Sequence, residues 1–359
     1  MFSSPLFQLI LLLSLISIIV SQKSGTIQIN YHIFVRWGII KIGNQNFQVA
    51  FNINSPNTWL VDKNASFNWN EQGLQRKKVR YNGNSPTSKS LGKKFNFDGP
   101  TGNLYTDTLT ISSVKIPQFP FGSATSGIPN QYQDPSGYDA LCPIDGEFGL
   151  SLATGTSTLN SLTKSLDKPI LTLYTTKVGS GDDDAGSITF GSENNQNCQP
   201  IYNYVQLAER SNWVIGVKSI NINGKSPLNP LGPTKLKILN DGLYMYGPKK
   251  SLDVLAKQLG FNVPKDFGSF YTADDEKCAG MDKMPNIIFN VGDNKRNAKI
   301  VLTPKQYMEI SPIGECRLLL MTETSYDNNY WNMGAQFLLG RCVAVNWVDG
   351  TMGFSDAKK

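Results

Sequence analysis

Apolar and polar residues alternate in short runs along most of this chain, and Gly, Pro and Asn cut the runs apart. Gly38-Ile39-Ile40-Lys41-Ile42-Gly43 and Asn46-Phe47-Gln48-Val49-Ala50-Phe51 predict a hairpin with one buried face. Ser187-Ile188-Thr189-Phe190-Gly191 reads as a strand, and Trp213 to Gly224 as a long strand ending in an Asn-Gly turn. Helical spacing is scarce. Leu252, Leu255, Ala256 and Leu259 mark a helix over 249–259, with Gly260 placed to stop it. Residues 158–166 and 303–308 are shorter helical candidates. The pattern predicts a mainly β protein with short helices.

Residues 9–20 are almost purely apolar, broken by Ser14 and Ser17. This length suits the hydrophobic part of a secretory signal better than a membrane span. Residues 1–21 are therefore expected to be a signal peptide cut after Ser21, although no Lys or Arg precedes the apolar run. The remaining 338 residues or so are too many for one typical core and suit two lobes, 22–200 and 201–359. The expected protein is exported, either extracellular or in the lumen of the secretory and lysosomal pathway.

Composition narrows the chemistry. The chain is 40% hydrophobic and 17% charged, as in a folded globular protein. A net charge of +6 comes from scattered Lys, and the one dense basic cluster, Arg76-Lys77-Lys78, reads as a solvated loop. No nucleic-acid partner is expected. A single histidine, His32, argues against Ser-His-Asp and Cys-His catalysis. Without Cys-x-x-Cys pairs, a Cys/His zinc site is not expected either, and no metal or cofactor is implied. Five cysteines, Cys142, Cys198, Cys278, Cys316 and Cys342, should mostly pair in an exported protein and leave one over. Asn64-Ala65-Ser66 is an N-glycosylation sequon in a polar stretch.

The most informative stretch is Phe51-Asn52-Ile53-Asn54-Ser55-Pro56-Asn57-Thr58-Trp59. It resembles the first active-site loop of the pepsin-like (family A1) aspartic proteases, a strand running into Asp-Thr-Gly-Ser and then Trp. Ser55 and Trp59 are kept, whereas Asn52, Ile53 and Asn54 stand where Asp, Thr and Gly belong. Further resemblances follow in the family's order: Ile144-Asp145-Gly146-Glu147-Phe148-Gly149-Leu150, Ala185 to Gly191, and closing strands from Phe337 to Phe354 similar to those of nematode-type members. The resemblance covers nearly the whole mature chain. It implies a bilobal acid-protease fold, two related β-barrel-like lobes with a cleft between them.

The second loop, 238–248, is degenerate too. Counting back from Gly247-Pro248 without a gap puts Leu239 at the aspartate position. A one-residue deletion instead puts Asn240 there, Asp241 on the threonine and Gly242 on the glycine. The gapped register is preferred, because Gly242 then supplies the tight turn. Neither restores Asp-Thr-Gly. The supporting segments Glu147-Phe148-Gly149 and Asn332-Met333-Gly334 keep their glycines but have each exchanged an apolar residue for a polar one. The flap region, 93–109, lacks the family's tyrosine; Phe95 and Phe97 are the nearest substitutes. A basic pro-segment, usual in the family, has no counterpart between the signal and the first strand.

Aspartic proteolysis needs two carboxylates that share a proton and activate a water. An asparagine amide cannot ionise. The resemblance therefore implies a protease scaffold, monomeric, that binds a peptide or protein in its cleft without cutting it. The alternatives are an active endopeptidase with an atypical centre and a structural or storage protein with no cleft ligand. The resemblance also implies a Cys278–Cys316 disulfide and, from nematode-type members, Cys198–Cys342, which leaves Cys142 as the odd thiol.

Overall fold

The computed structural model describes residues 23–32, 35–66, 77–129, 144–152, 157–176, 182–222, 225–228, 235–239, 242–266, 269–322 and 330–358. The expected signal peptide, Arg76, Cys142, Asn240 and Asp241 lie outside them. The first half contributes β1 (Gly25–His32), β2 (Val35–Ile42), β3 (Gln45–Asn52), β4 (Trp59–Val61), β5 (Lys89–Asn96), β6 (Thr101–Ile111), β7 (Val114–Ser126), β8 (Gly146–Gly149), β9 (Ile170–Thr175) and β10 (Asp182–Phe190). The second half adds β11 (Tyr204–Glu209), β12 (Val214–Ile222), β13 (Lys225–Leu228), β14 (Lys235–Ile238), β15 (Met245–Tyr246), β16 (Thr272–Ala273), β17 (Ile287–Gly292) and β18 (Asn297–Leu302). It closes with β19 (Met308–Ile310), β20 (Cys316–Leu318), β21 (Leu320–Met321), β22 (Trp331–Met333), β23 (Arg341–Asn346) and β24 (Thr351–Asp356).

Most of these strands join one curled, mostly antiparallel sheet, and β16, β20 and β19 form a small separate one. The two halves of the chain meet in a six-stranded stretch, β1-β10-β9-β23-β24-β11. Val343 sits opposite Leu173 there, and Tyr204 opposite Gly353. Non-local pairing thus ties first-half strands to last-half strands. The fold is the mainly β, bilobal architecture expected.

Local predictions hold where the signal is local. β2 and β3 form the hairpin, with Ile40 opposite Phe47 and both buried. The helix spans Lys249–Leu259 and buries Leu252, Leu255, Ala256 and Leu259. Gly260 ends it at φ +76°, a left-handed cap that favours glycine. The shorter candidates form a helix over Thr158–Leu162 continued by a 3-10 turn, and one turn over Pro304–Tyr307. No helix among the described residues is long and apolar enough to cross a membrane.

Candidate functional site at the lobe junction

Each half of the chain builds the same local device. In the first, β3 runs parallel to β8 with Asn52 opposite Gly149, and β4 returns with Trp59 opposite Glu147. In the second, β14 runs parallel to β22 with Ile238 opposite Met333, which brings Leu239 level with Gly334. The Leu239 N–H donates to the Met333 carbonyl at 2.9 Å. β15 then returns with Tyr246 opposite Asn332. Glu147 and Asn332 each stand two residues before their glycine, and Trp59 and Tyr246 each stand seven residues after the loop's first position.

The glycines give the same count independently. A Cβ on Gly149 would lie 2.6 Å from the Ser55 carbonyl oxygen and 2.5 Å from that of Asn57. A Cβ on Gly334 would lie 2.6 Å from the Gly242 oxygen and 2.2 Å from that of Tyr244. Only glycine fits such an approach. Ser55 therefore matches Gly242, Asn57 matches Tyr244, and Asn52 matches Leu239 without a gap. This corrects the gapped register preferred from sequence. Gly242 does adopt positive φ, +94°, but one position later in the loop than that register assumed.

The chemistry at these equivalent positions is an amide and an alkyl group. Asn52 is half-buried, and its Oδ1 accepts the Asn54 N–H at 2.8 Å, a turn closed within the loop. Ser55 stays local as well, its hydroxyl donating to the Asn57 carbonyl at 3.2 Å. Ile53 and Leu239 are buried and line one small cavity with Leu150, Trp213 and Ile238. Its volume is about 10 Å³, and Arg36 is the one charged side chain on its wall. Neither loop position holds a carboxylate to act as general base. Among the described residues, no group of three or more His, Cys, Asp or Glu could hold a metal ion.

A family model described as eukaryotic aspartyl protease matches residues 37–357. The chain belongs to the eukaryotic aspartyl protease family. It is 25% identical over 338 residues to cathepsin D of Dictyostelium discoideum, covering 89% of this chain and 83% of that one. Plasmepsin VIII of Plasmodium berghei is 29% identical over 201 residues, covering 52% of this chain and 50% of that one. Pregnancy-associated glycoprotein 2 of Bos taurus is 24% identical over 316 residues, covering 84% of this chain and 76% of that one.

This aspartyl protease homologue holds its two loops together by bonds between the halves. The Trp213 Nε1–H donates to the Leu150 carbonyl at 3.1 Å, and the Ser151 hydroxyl to the Ser211 carbonyl at 2.6 Å. Leu150 in turn donates its N–H to the Asn52 carbonyl at 2.7 Å. Behind the second loop, Glu209 accepts from Lys235 Nζ at 2.8 Å and from the Tyr330 hydroxyl at 2.7 Å. These two donors sit at the roots of β14 and β22, so Glu209 ties together the strands that carry Leu239 and Gly334. Hydrogen bonds from Lys235 and Tyr330 hold its carboxyl below the usual glutamate range. Behind the first loop, fully buried Asp145 accepts the N–H groups of Gln48 and Val79, both at 2.7 Å. Sequence reasoning missed these braces, since no local spacing announces contacts between residues 26 to 121 positions apart.

The region expected to be the flap forms the β5–β6 hairpin. Phe95 is buried among Ala50, Trp59, Val61 and Ala124, and Phe97 packs on its ring at 4.3 Å between centroids. Phe95 therefore contributes to the lobe interior, and half-buried Phe97 is the one of the two with surface exposed. Both disulfides form: Cys198 bonds Cys342 on β23 of the six-stranded stretch, and Cys278 bonds Cys316 on β20, the central strand of the small sheet. Asn64 is exposed, in a turn just past β4.

Proposed function

We propose that this homologue is an exported, proteolytically inactive protein that binds an extended peptide or protein segment in the cleft between its lobes. The pairing of Asn52 with Leu239 as equivalent residues carries the reading: one position holds an amide that cannot ionise, the other a buried alkyl chain. An aspartic mechanism needs two carboxylates that share a proton. The β5–β6 hairpin in the expected flap region and the two-lobed frame support the reading, since such a cleft can hold an extended chain through strand-like hydrogen bonds and side-chain pockets. The exposed sequon and two disulfides fit export. Titration with a pepstatin-like peptide, followed by calorimetry, tests it. Saturable 1:1 binding with the peptide recovered intact supports the reading; absence of binding to any member of an extended-peptide panel favours a structural or storage role.

A further inference from the structure

Away from the cleft, three lysines from three separate parts of the chain face one recess. Lys23 precedes β1, Lys115 lies at the start of β7, and Lys164 lies on the 3-10 turn Thr163–Ser165. Ser113 and Ser165 add hydroxyls, and the recess has a volume of about 420 Å³. We propose that this recess binds a phosphate or sulfate group, free or carried as an ester on a sugar.

The walls are fixed by contacts that do not involve the lysine ammonium groups. Lys23 is pinned through its backbone: its N–H donates to Asp167 Oδ2 at 2.9 Å, and its carbonyl accepts the Asp167 N–H at 3.2 Å. Asp167 is the acid nearest in these contacts, and its carboxylate is engaged by that amide. The 3-10 turn is held by Trp347, whose Nε1–H donates to Thr163 Oγ1 at 3.0 Å. The third wall is the tight β6–β7 turn, where Ile111 pairs with Val114 and Ser112 takes φ +54°. Three lysines lining one recess raise the local anion concentration, and the hydroxyls of Ser113 and Ser165 can donate to the same oxyanion. The volume exceeds a lone oxyanion and lies in the range of small-molecule sites. Lysines strewn along an exposed strand would not provide such a recess. The proposal is independent of the cleft reading.

The test is calorimetric titration of the intact protein with inorganic phosphate and, separately, with a heparin-derived disaccharide. The double variant K115Q/K164Q should lose about tenfold or more in affinity, and binding should weaken as salt rises. The variant K257Q/K299Q, at exposed lysines elsewhere, should bind as the unmodified protein does. Phosphate binding lost in K115Q/K164Q identifies a free oxyanion. Disaccharide binding lost in that variant identifies an ester on a sugar. Absence of binding in the unmodified protein, or equal affinity in the two variants, overturns the proposal.

Discussion

Ile53 and Leu239, one from each half of the chain, line the same small apolar cavity at the lobe junction. In the family pattern a threonine stands at the first of these positions and an aspartate at the second. Here both side chains are buried hydrocarbon, so the junction is held by packing and by the Trp213–Leu150 hydrogen bond. A cavity of about 10 Å³, apolar except for Arg36 on its wall, is at the lower limit for even one water.

A carboxylate at the second loop should therefore be poorly tolerated. Leu239→Asp is expected to destabilise the protein by about 1–3 kcal/mol at neutral pH, the cost of burying a carboxylate offset in part by Arg36 on the same cavity wall. With desolvation outweighing the opposing pull of Arg36, the folded-state pKa of the new carboxyl rises above its unfolded value. The penalty is then greatest above the folded pKa and shrinks as pH falls toward the unfolded one. Urea unfolding at pH 7 and pH 4 measures both; equal loss at the two pH values would show that the site is not apolar.

Glu209 gives the opposite pH dependence. Its carboxyl is held below the ordinary value of 4.5 by hydrogen bonds from Lys235 and Tyr330. Its contribution is complete above that ordinary value and is lost as pH falls through the lowered folded pKa. Glu209→Gln should lower Tm at pH 7, and the gap to the unmodified protein should close in acid. A gap that persists unchanged at pH 3 would assign Glu209 a role other than the ion pair.

How much of this was readable beforehand depended on where the deciding contacts lie. The first loop was legible because Ser55 and Trp59 still frame it. The helix ending at Leu259 was legible because its apolar stripe and Gly260 are local. The second loop was not. Gly247-Pro248 allowed a gap or none, and the choice rests on Tyr246 pairing with Asn332 some 86 residues away. The Glu209 brace and the lysine recess were hidden for the same reason.

The cysteines offer a chemical check. With Cys198–Cys342 and Cys278–Cys316 closed, four of the five cysteines are used. Denatured, unreduced protein should titrate with one thiol per chain, and peptide mapping should place it at Cys142. Replacing Cys278 and Cys316 with Ser should cost about 4 kcal/mol in the chain-entropy account of a 38-residue loop. A mapped bridge between Cys142 and Cys198 or Cys342 would contradict the pairing.

Asn64 is exposed in its turn and is followed by exposed Ser66, so the sequon is accessible. Protein secreted from a eukaryotic host should lose the mass of one glycan on glycosidase treatment, and Asn64→Gln should abolish that loss. An unchanged mass would count against either modification of this site or export of the chain.

The central claim is absence of proteolysis, and incubation of homogeneous protein with denatured haemoglobin tests it most directly. From pH 3 to pH 5, with and without pepstatin, no peptide release above the buffer control is expected. Asn52→Asp alone should leave that result unchanged, because one carboxylate beside Leu239 is not a proton-sharing pair. Pepstatin-sensitive release of peptides by the unmodified protein would contradict the account.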